Sequence, residues 1–325
     1  MASAIQSSGW RGKLAGLALA WSLFCVVWFA AAALGSRYGL WSWQFGLGQM
    51  QGNVNAGLGR FVLIIGAVLC VVGLIAALIR NPRVRPVMLC LGAILILFMV
   101  GGRWFGFQLT ALALPPLHEA STDWQDPVPF SSNLQTKREL FQCDRNGDGE
   151  VSDAERGNCG LNAYELYPTV TLPAGAQERW PGFNGKTVEQ VQRDFEWDPA
   201  AGGDDREEKP YPPMHTATTM LDRDTTFELV ADLAYKQGWE FIGANHEAGR
   251  IEVTATTTWY GFKDDIAFRV RPLEAGGTEI DMRSMSRVGL SDLGANARRV
   301  GDFMEKLDRA LAEAEATVSY PPDPQ

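Results

Sequence analysis

The first 103 residues contain no aspartate and no glutamate. They carry eight Lys or Arg, so all 38 acidic residues and the other 21 basic ones fall in 104–325, a split of +8 against −17. Together with long uncharged runs in the first third, this asymmetry excludes a simple soluble enzyme. It also excludes a nucleic-acid binder, whose contact surface should be basic. Histidine is scarce: His118, His215 and His246 stand alone in sequence, none beside a serine. Zinc-ligand spacing, a Walker loop and a dinucleotide glycine pattern are all missing. Cysteine is scarce too, and three of the five, Cys25, Cys70 and Cys90, lie in apolar runs where a thiol behaves as a small apolar group.

What is present in 1–103 is a membrane anchor. Leu14–Leu34, Phe61–Ile79 and Val87–Gly102 are uncharged for long enough to approach the roughly 20 residues that a spanning helix needs. Gly101, Gly102, Trp104 and Phe105 read as an interfacial exit from the third span. With no ionisable side chain inside any span, an ion path lacks support. Arg11, Lys13, Arg80, Arg83 and Arg85 resist translocation, which sets the N-terminus in the cytoplasm. Three spans then place 104–325 outside, on the periplasmic side of a bacterial inner (cytoplasmic) membrane. In that oxidising compartment Cys143 and Cys159 form a candidate disulfide.

Beyond the anchor, residues 104–210 read as a linker and insert, with Pro115-Pro116 and Asp126-Pro127 as turn signals. A short helix is expected from Thr187, with Gln190 completing a capping box, and 200–208 is too polar to fold. A compact domain is expected over 211–317 and a frayed tail over 318–325. Its first helix is announced by the capping signature Thr225-Thr-Phe-Glu228 and stopped by Gly238. Four strands follow, then a closing helix from about Ser291 to Thr317 with Leu293, Ala297, Val300, Met304, Leu307 and Leu311 as its apolar stripe. Behind a three-helix transmembrane anchor this is an α+β domain of helix, four-stranded antiparallel meander and helix. Strand parity sends Ile266, Phe268, Val270, Ile280 and Met282 toward the helices. The other face receives Arg269, Arg271, Asp281, Arg283, Thr254 and Thr256. A three-residue Ala275-Gly276-Gly277 loop would set Arg271 opposite Asp281, and Arg269 opposite Arg283.

The sharpest motif is Asp144-Arg-Asn-Gly-Asp-Gly-Glu-Val-Ser-Asp-Ala-Glu155. It matches an EF-hand loop: Asp144, Asn146 and Asp148 as side-chain ligands, the Glu150 carbonyl, Ser152 through water, and Glu155 as the bidentate last ligand. Gly149 supplies the sharp turn. A flexible, oxygen-only set suits Ca2+, a hard cation that takes six to eight oxygens. Thr136–Cys143 is the expected entering helix, while Gly157 and Gly160 cut the exiting one short. Resemblance to EF-hand proteins covers 136–160 alone, with no second loop to pair, so weak binding and a structural clip are expected.

Three segments carry a second resemblance: Pro115–Pro127, Gly261–Val270 and Asp281–Val300. They resemble the domain of unknown function 1499 family, which implies the α+β fold and no established reaction. The family pattern falls on Asp264, Asp265, Arg269, Arg283, Ser284, Ser286, Arg287, Asp292, Asn296 and Arg298. Those residues are expected to converge where the sheet ends meet the last helix. One reading is an ion-pair and capping network, in which Asp292 or Ser291 caps the helix and Asp264 or Asp265 answers Arg269 or Arg287. A second is a pocket in which Arg269, Arg283 and Arg287 receive an anionic group. A third is catalysis by Ser284 or Ser286, or by the Asp264-Asp265 pair. The balance favours a non-catalytic binding or scaffold module whose partners are the membrane and an envelope protein or anionic small ligand. A hydrolase acting on an anionic envelope substrate is the alternative.

Overall fold

The computed structural model describes residues 9–79, 84–143, 150–153, 181–198 and 209–319. The chain divides into two compact units, one of Met1–Ala113 with Thr257–Gly261, the other of Leu114–Thr256 with Phe262–Gln325.

In the first unit, α1 (Trp10–Arg37), α2 (Gly59–Leu78) and α3 (Val84–Ala113) are each long and apolar enough to cross a membrane. Their contacts are made by small side chains. Ala15, Ala18 and Cys25 of α1, Cys70, Ala76 and Ala77 of α2, and Cys90 and Ala93 of α3 are buried, while Val27, Val71 and Phe98 face outward. Lipid tails are as apolar as leucine, so helices associate by close approach rather than by hiding large side chains. At Gly66 a Cβ would meet Leu97 at 2.9 Å. The third helix outruns its expected span, and Gly101, Gly102, Trp104 and Phe105 lie within it. Between α1 and α2 the chain forms a π-helix, Gln44–Gln51. Carbonyls at its end accept from Trp28 Nε1 (Met50 O, 3.0 Å), Trp104 Nε1 (Gln51 O, 3.2 Å) and Gln108 Nε2 (Gly52 O, 3.3 Å). These bonds satisfy groups that the wider helical turn leaves open.

The second unit is built on an antiparallel sheet. Strands β3 (Glu240–Asn245), β4 (Arg250–Thr256), β5 (Lys263–Pro272) and β6 (Thr278–Ser286) form the expected meander. The sheet has six strands rather than four, because β1 (Glu119–Ser121) and β2 (Ala217–Thr219) both pair with β6 along its outer edge. Each is three residues long, too short for alternation to be visible in sequence.

The turn between β5 and β6 corrects the expected register. Pro272 pairs with Thr278, and Leu273 N donates to Gly277 O (3.0 Å), so the loop holds five residues instead of three. Gly276 and Gly277 take φ of 95° and 86°, the left-handed region that a Cβ disfavours. Arg269 therefore faces Asp281 and Arg271 faces Glu279. The expected Arg269–Arg283 repulsion is replaced by two opposite-charge pairs.

Parity holds. Ile251, Val253, Ile266, Phe268, Val270, Ile280 and Met282 are buried together against α6 (Arg223–Lys236) and α7 (Ala295–Ser319). Phe268 meets Phe303 at 4.6 Å between ring centres. Helix α6 starts at Arg223 because Asp222, and not Thr225, is the cap. Its carboxylate accepts from the amides of Asp224 (3.0 Å) and Thr225 (2.9 Å). Gly238 ends it at φ 71°. The capping box of Thr187 and Gln190 forms at the start of α5 (Val188–Phe195). Helix α7 begins at Ala295, four residues later than expected, so Leu293 (φ 54°) precedes it. It runs to Ser319, making residues 318 and 319 of the expected tail helical.

The opposite face of the sheet is covered as well. Val128, Phe130 and Leu134 pack on Ala267 and Met285. Leu134 belongs to α4 (Ser132–Cys143), which is longer than the expected Thr136–Cys143. Ser131 ties its start to the sheet, donating through N and Oγ to Glu252 (2.5 Å each).

Candidate functional site

Strand parity divides the expected site. Asp264 and Asp265 are consecutive on β5, so they point to opposite faces and cannot serve one arginine together. On the polar face, Asp265 is the centre of a buried triad. Arg287 grips it through Nε and Nη2 at 2.8 Å each, Arg138 of α4 reaches it at 2.8 Å, and Thr254 Oγ1 donates at 2.7 Å. Burial works against this carboxylate, but the bond from Arg287 and the Arg138 charge outweigh it and hold its pKa below the ordinary value. Arg138 also donates to the carbonyls of Met285 (3.2 Å) and Ser286 (3.0 Å).

Further along the same face, Arg283 donates through Nε (3.1 Å) and Nη2 (2.8 Å) to Glu119 Oε2, under the Phe130 ring at 4.9 Å. Arg269 binds Asp281 (2.8 Å) and Asp126 (2.8 Å), and Asp281 also accepts from Thr216 Oγ1 (2.6 Å) and Thr122 Oγ1 (3.2 Å). The three arginines expected to receive an external anion thus each hold a carboxylate of the chain itself.

The helix face carries the rest. Asn296 links Ser284 (Oγ to Oδ1, 2.6 Å), Ser286 (Nδ2 to Oγ, 2.9 Å) and the His118 carbonyl (2.9 Å). Asp264 pairs with Arg299 (2.6 Å), which donates to Ser284 Oγ as well (3.0 Å). The carboxylate capping α7 is that of Asp292, accepting from the amides of Gly294 (2.7 Å) and Asn296 (2.9 Å). Burial pushes its pKa up to about 6, against those backbone bonds. Arg138 and Arg299 are absent from the expected set. Arg138 was detectable as the i+4 neighbour of Leu134 on the inward stripe of its helix, and Arg299 as the residue one turn past Asn296.

The imidazoles are dispersed. His118 is buried, and desolvation, helped by the charges of Arg138 and Arg283, pushes its pKa down to about 4, so it is neutral at pH 7. His215 lies beside Asp308 (3.3 Å) and His246 beside Asp224 (3.5 Å), both on the surface. A cleft of about 310 Å³ opens elsewhere, lined by Gln237, Trp239, Arg298, Arg299, Asp302 and Lys306, with Ala295 and Phe303 completing it. Neither Arg283 nor Arg287 borders it.

Of the expected calcium ligands, Asp144, Asn146, Asp148 and Glu155 lie outside the described residues, as does the 200–208 stretch. Glu150 and Ser152 are described, and both are exposed. Among the described residues no group of three His, Cys, Asp or Glu side chains could hold a metal. Cys143 is buried at the end of α4, and its expected partner Cys159 lies outside the described residues.

Three apolar helices followed by a mixed α and antiparallel-β unit define a protein with a membrane-type anchor and a polar, ion-paired sheet domain. Residues 120–307, more than half of the chain, match the family described as "Protein of unknown function (DUF1499)", and the chain belongs to that family. The match starts in β1, within the segment expected to be linker, and ends in α7. No curated protein matches the chain.

Proposed function

We propose that this chain is a membrane-anchored binding or scaffold module of the bacterial inner membrane, with its N-terminus cytoplasmic and residues 104–325 periplasmic. The single observation behind the non-catalytic reading is that Arg269, Arg283 and Arg287 already hold Asp281, Glu119 and Asp265. Substrate recognition by these cations would require breaking buried pairs, at about 3–5 kcal/mol each. The hydrolase alternative needs an imidazole beside a serine. His215 and His246 instead face carboxylates, which weighs against it. The partner is an envelope protein or an anionic small ligand.

In this reading Ca2+ binds the loop through Asp144, Asn146, Asp148, the Glu150 carbonyl, a water on Ser152, and Glu155, beside a Cys143–Cys159 bridge. Helix α4 runs directly into the loop, and its Arg138 is fixed to Asp265 of the sheet. The clip is therefore not remote from the sheet: ordering the loop steadies the helix that covers the polar face. Full-length protein in detergent should gain about 1.4 kcal/mol of stability at ten times the calcium dissociation constant, read as a rise of a few degrees in melting temperature. Glu155→Gln should abolish the gain. An equal gain in that variant, or none in the native chain at millimolar calcium, would overturn the clip. Alkaline phosphatase fused after Phe130 should be active, and an inactive fusion at normal expression would overturn the orientation.

A further inference from the structure

We infer that the cleft between the end of α6 and the first half of α7 binds a small organic anion with a flat apolar body, an aryl phosphate being the simplest form. The inference rests on the binding-module reading and supplies its ligand class.

Gly238 turns the chain out of α6 and delivers Trp239 to the cleft, half-buried, its indole stacked on Phe303 at 5.9 Å and 29°. Phe303 is buried and rests on Phe268, so this aromatic floor is held rigidly by the core. Around it stand three cations of α7, Arg298 and Arg299 in one turn and Lys306 about two turns later. Arg299 is neutralised by Asp264. Arg298 donates to the Leu293 carbonyl (3.0 Å) and Lys306 to the Gln237 amide oxygen (2.9 Å), and both are exposed. Among the described residues neither cation has a carboxylate within ion-pairing distance, in contrast to the arginines of the polar face. Asp302, exposed between them on the helix, pairs with neither.

Two unmatched cations against one carboxylate leave a single positive charge beside an aromatic surface. That is the complement of one anionic group attached to a ring, with the guanidinium or ammonium taking the anion and the indole taking the ring. The volume of about 310 Å³ is at the small end of ligand sites, which run from roughly 300 to 1,000 Å³.

The test uses full-length protein in uncharged detergent, titrated with naphthyl phosphate and followed by saturation-transfer NMR, with protein-free micelles as blank. Saturable binding is expected. Naphthol, which lacks the charge, and inorganic phosphate, which lacks the ring, should each bind at least about tenfold more weakly. The double variant Arg298→Gln/Lys306→Gln, made at exposed positions, should weaken naphthyl phosphate by about tenfold or more. Unchanged affinity in that variant, or no saturable binding, overturns the assignment. Inorganic phosphate binding as tightly as the aryl ester overturns the role of the indole floor. A chain that still gains stability from calcium but fails to bind naphthyl phosphate loses this site alone.

Discussion

On one side of the sheet, Ile266, Phe268, Ile280 and Met282 are sealed by two helices, chiefly through apolar side chains such as Phe227, Val230, Val300 and Phe303. On the other side, Asp265, Arg283, Asp281 and Glu119 are equally inaccessible, and each is held by charged hydrogen bonds. The first face gains stability in proportion to the area it hides, whichever apolar residues hide it. The second gains only if every charge meets its partner, because an unmatched buried ion costs several kcal/mol. The difference lies in tolerance: the helix face should accept conservative exchange, and the polar face should not.

The largest loss is expected at Asp265. Asp265→Leu strands both Arg138 and Arg287, and should cost about 3–5 kcal/mol in denaturant unfolding. Replacing Arg138, Asp265 and Arg287 together by apolar residues of similar size should recover most of that loss. A triple variant as unstable as the single one would show that the pairing is not what closes this face. On the helix face, Met282→Ala should cost about 2–5 kcal/mol through the cavity it leaves, while Met282→Leu should cost less than about 1.5. Equal losses for both would refute the tolerance argued here.

A further effect is on pH dependence, where Asp292 and His118 act in opposite directions. The folded pKa of Asp292 is raised to about 6, so between its ordinary carboxylate value and 6 the folded state holds the extra proton. Its contribution to stability therefore rises as pH falls through that window. The folded pKa of His118 is lowered to about 4, so between 4 and 6.5 the unfolded state holds the extra proton, and stability falls on acidification. Relative to the native chain, Asp292→Asn should lose stability more steeply from pH 6.5 to 4.5, and His118→Asn less steeply. Parallel curves for all three proteins would remove both assignments.

Local rules were sufficient wherever neighbours in sequence are neighbours in space. The capping box of Thr187 and Gln190, the stop at Gly238 and the inward parity of Phe268 and Met282 are of this kind. So is the alternative in which an ion-pair and capping network, with Asp292 as cap, occupies the family pattern. Of the pairings offered for that network, Asp265 with Arg287 is formed, and the rest were not legible. Asp264 is answered by Arg299 and Asp265 by Arg287 and Arg138, because β5 turns the two aspartates apart and helices from distant parts of the chain approach each face. The register of β5 and β6 was missed for a related reason: the choice between a three- and a five-residue loop is settled by pairing along both strands, not by the glycines in the turn.

The three apolar helices and the meander follow from the sequence alone, since each depends on a periodicity or spacing carried by contiguous residues. Only the tertiary structure decided that Glu119–Ser121 and Ala217–Thr219 complete the sheet, and that Ser132–Cys143 covers its polar face. Short strands and lone buried charges have no local signature. The two short strands pair with residues some 59 to 166 positions away in the chain, and burial selects such partners only once the sheet exists.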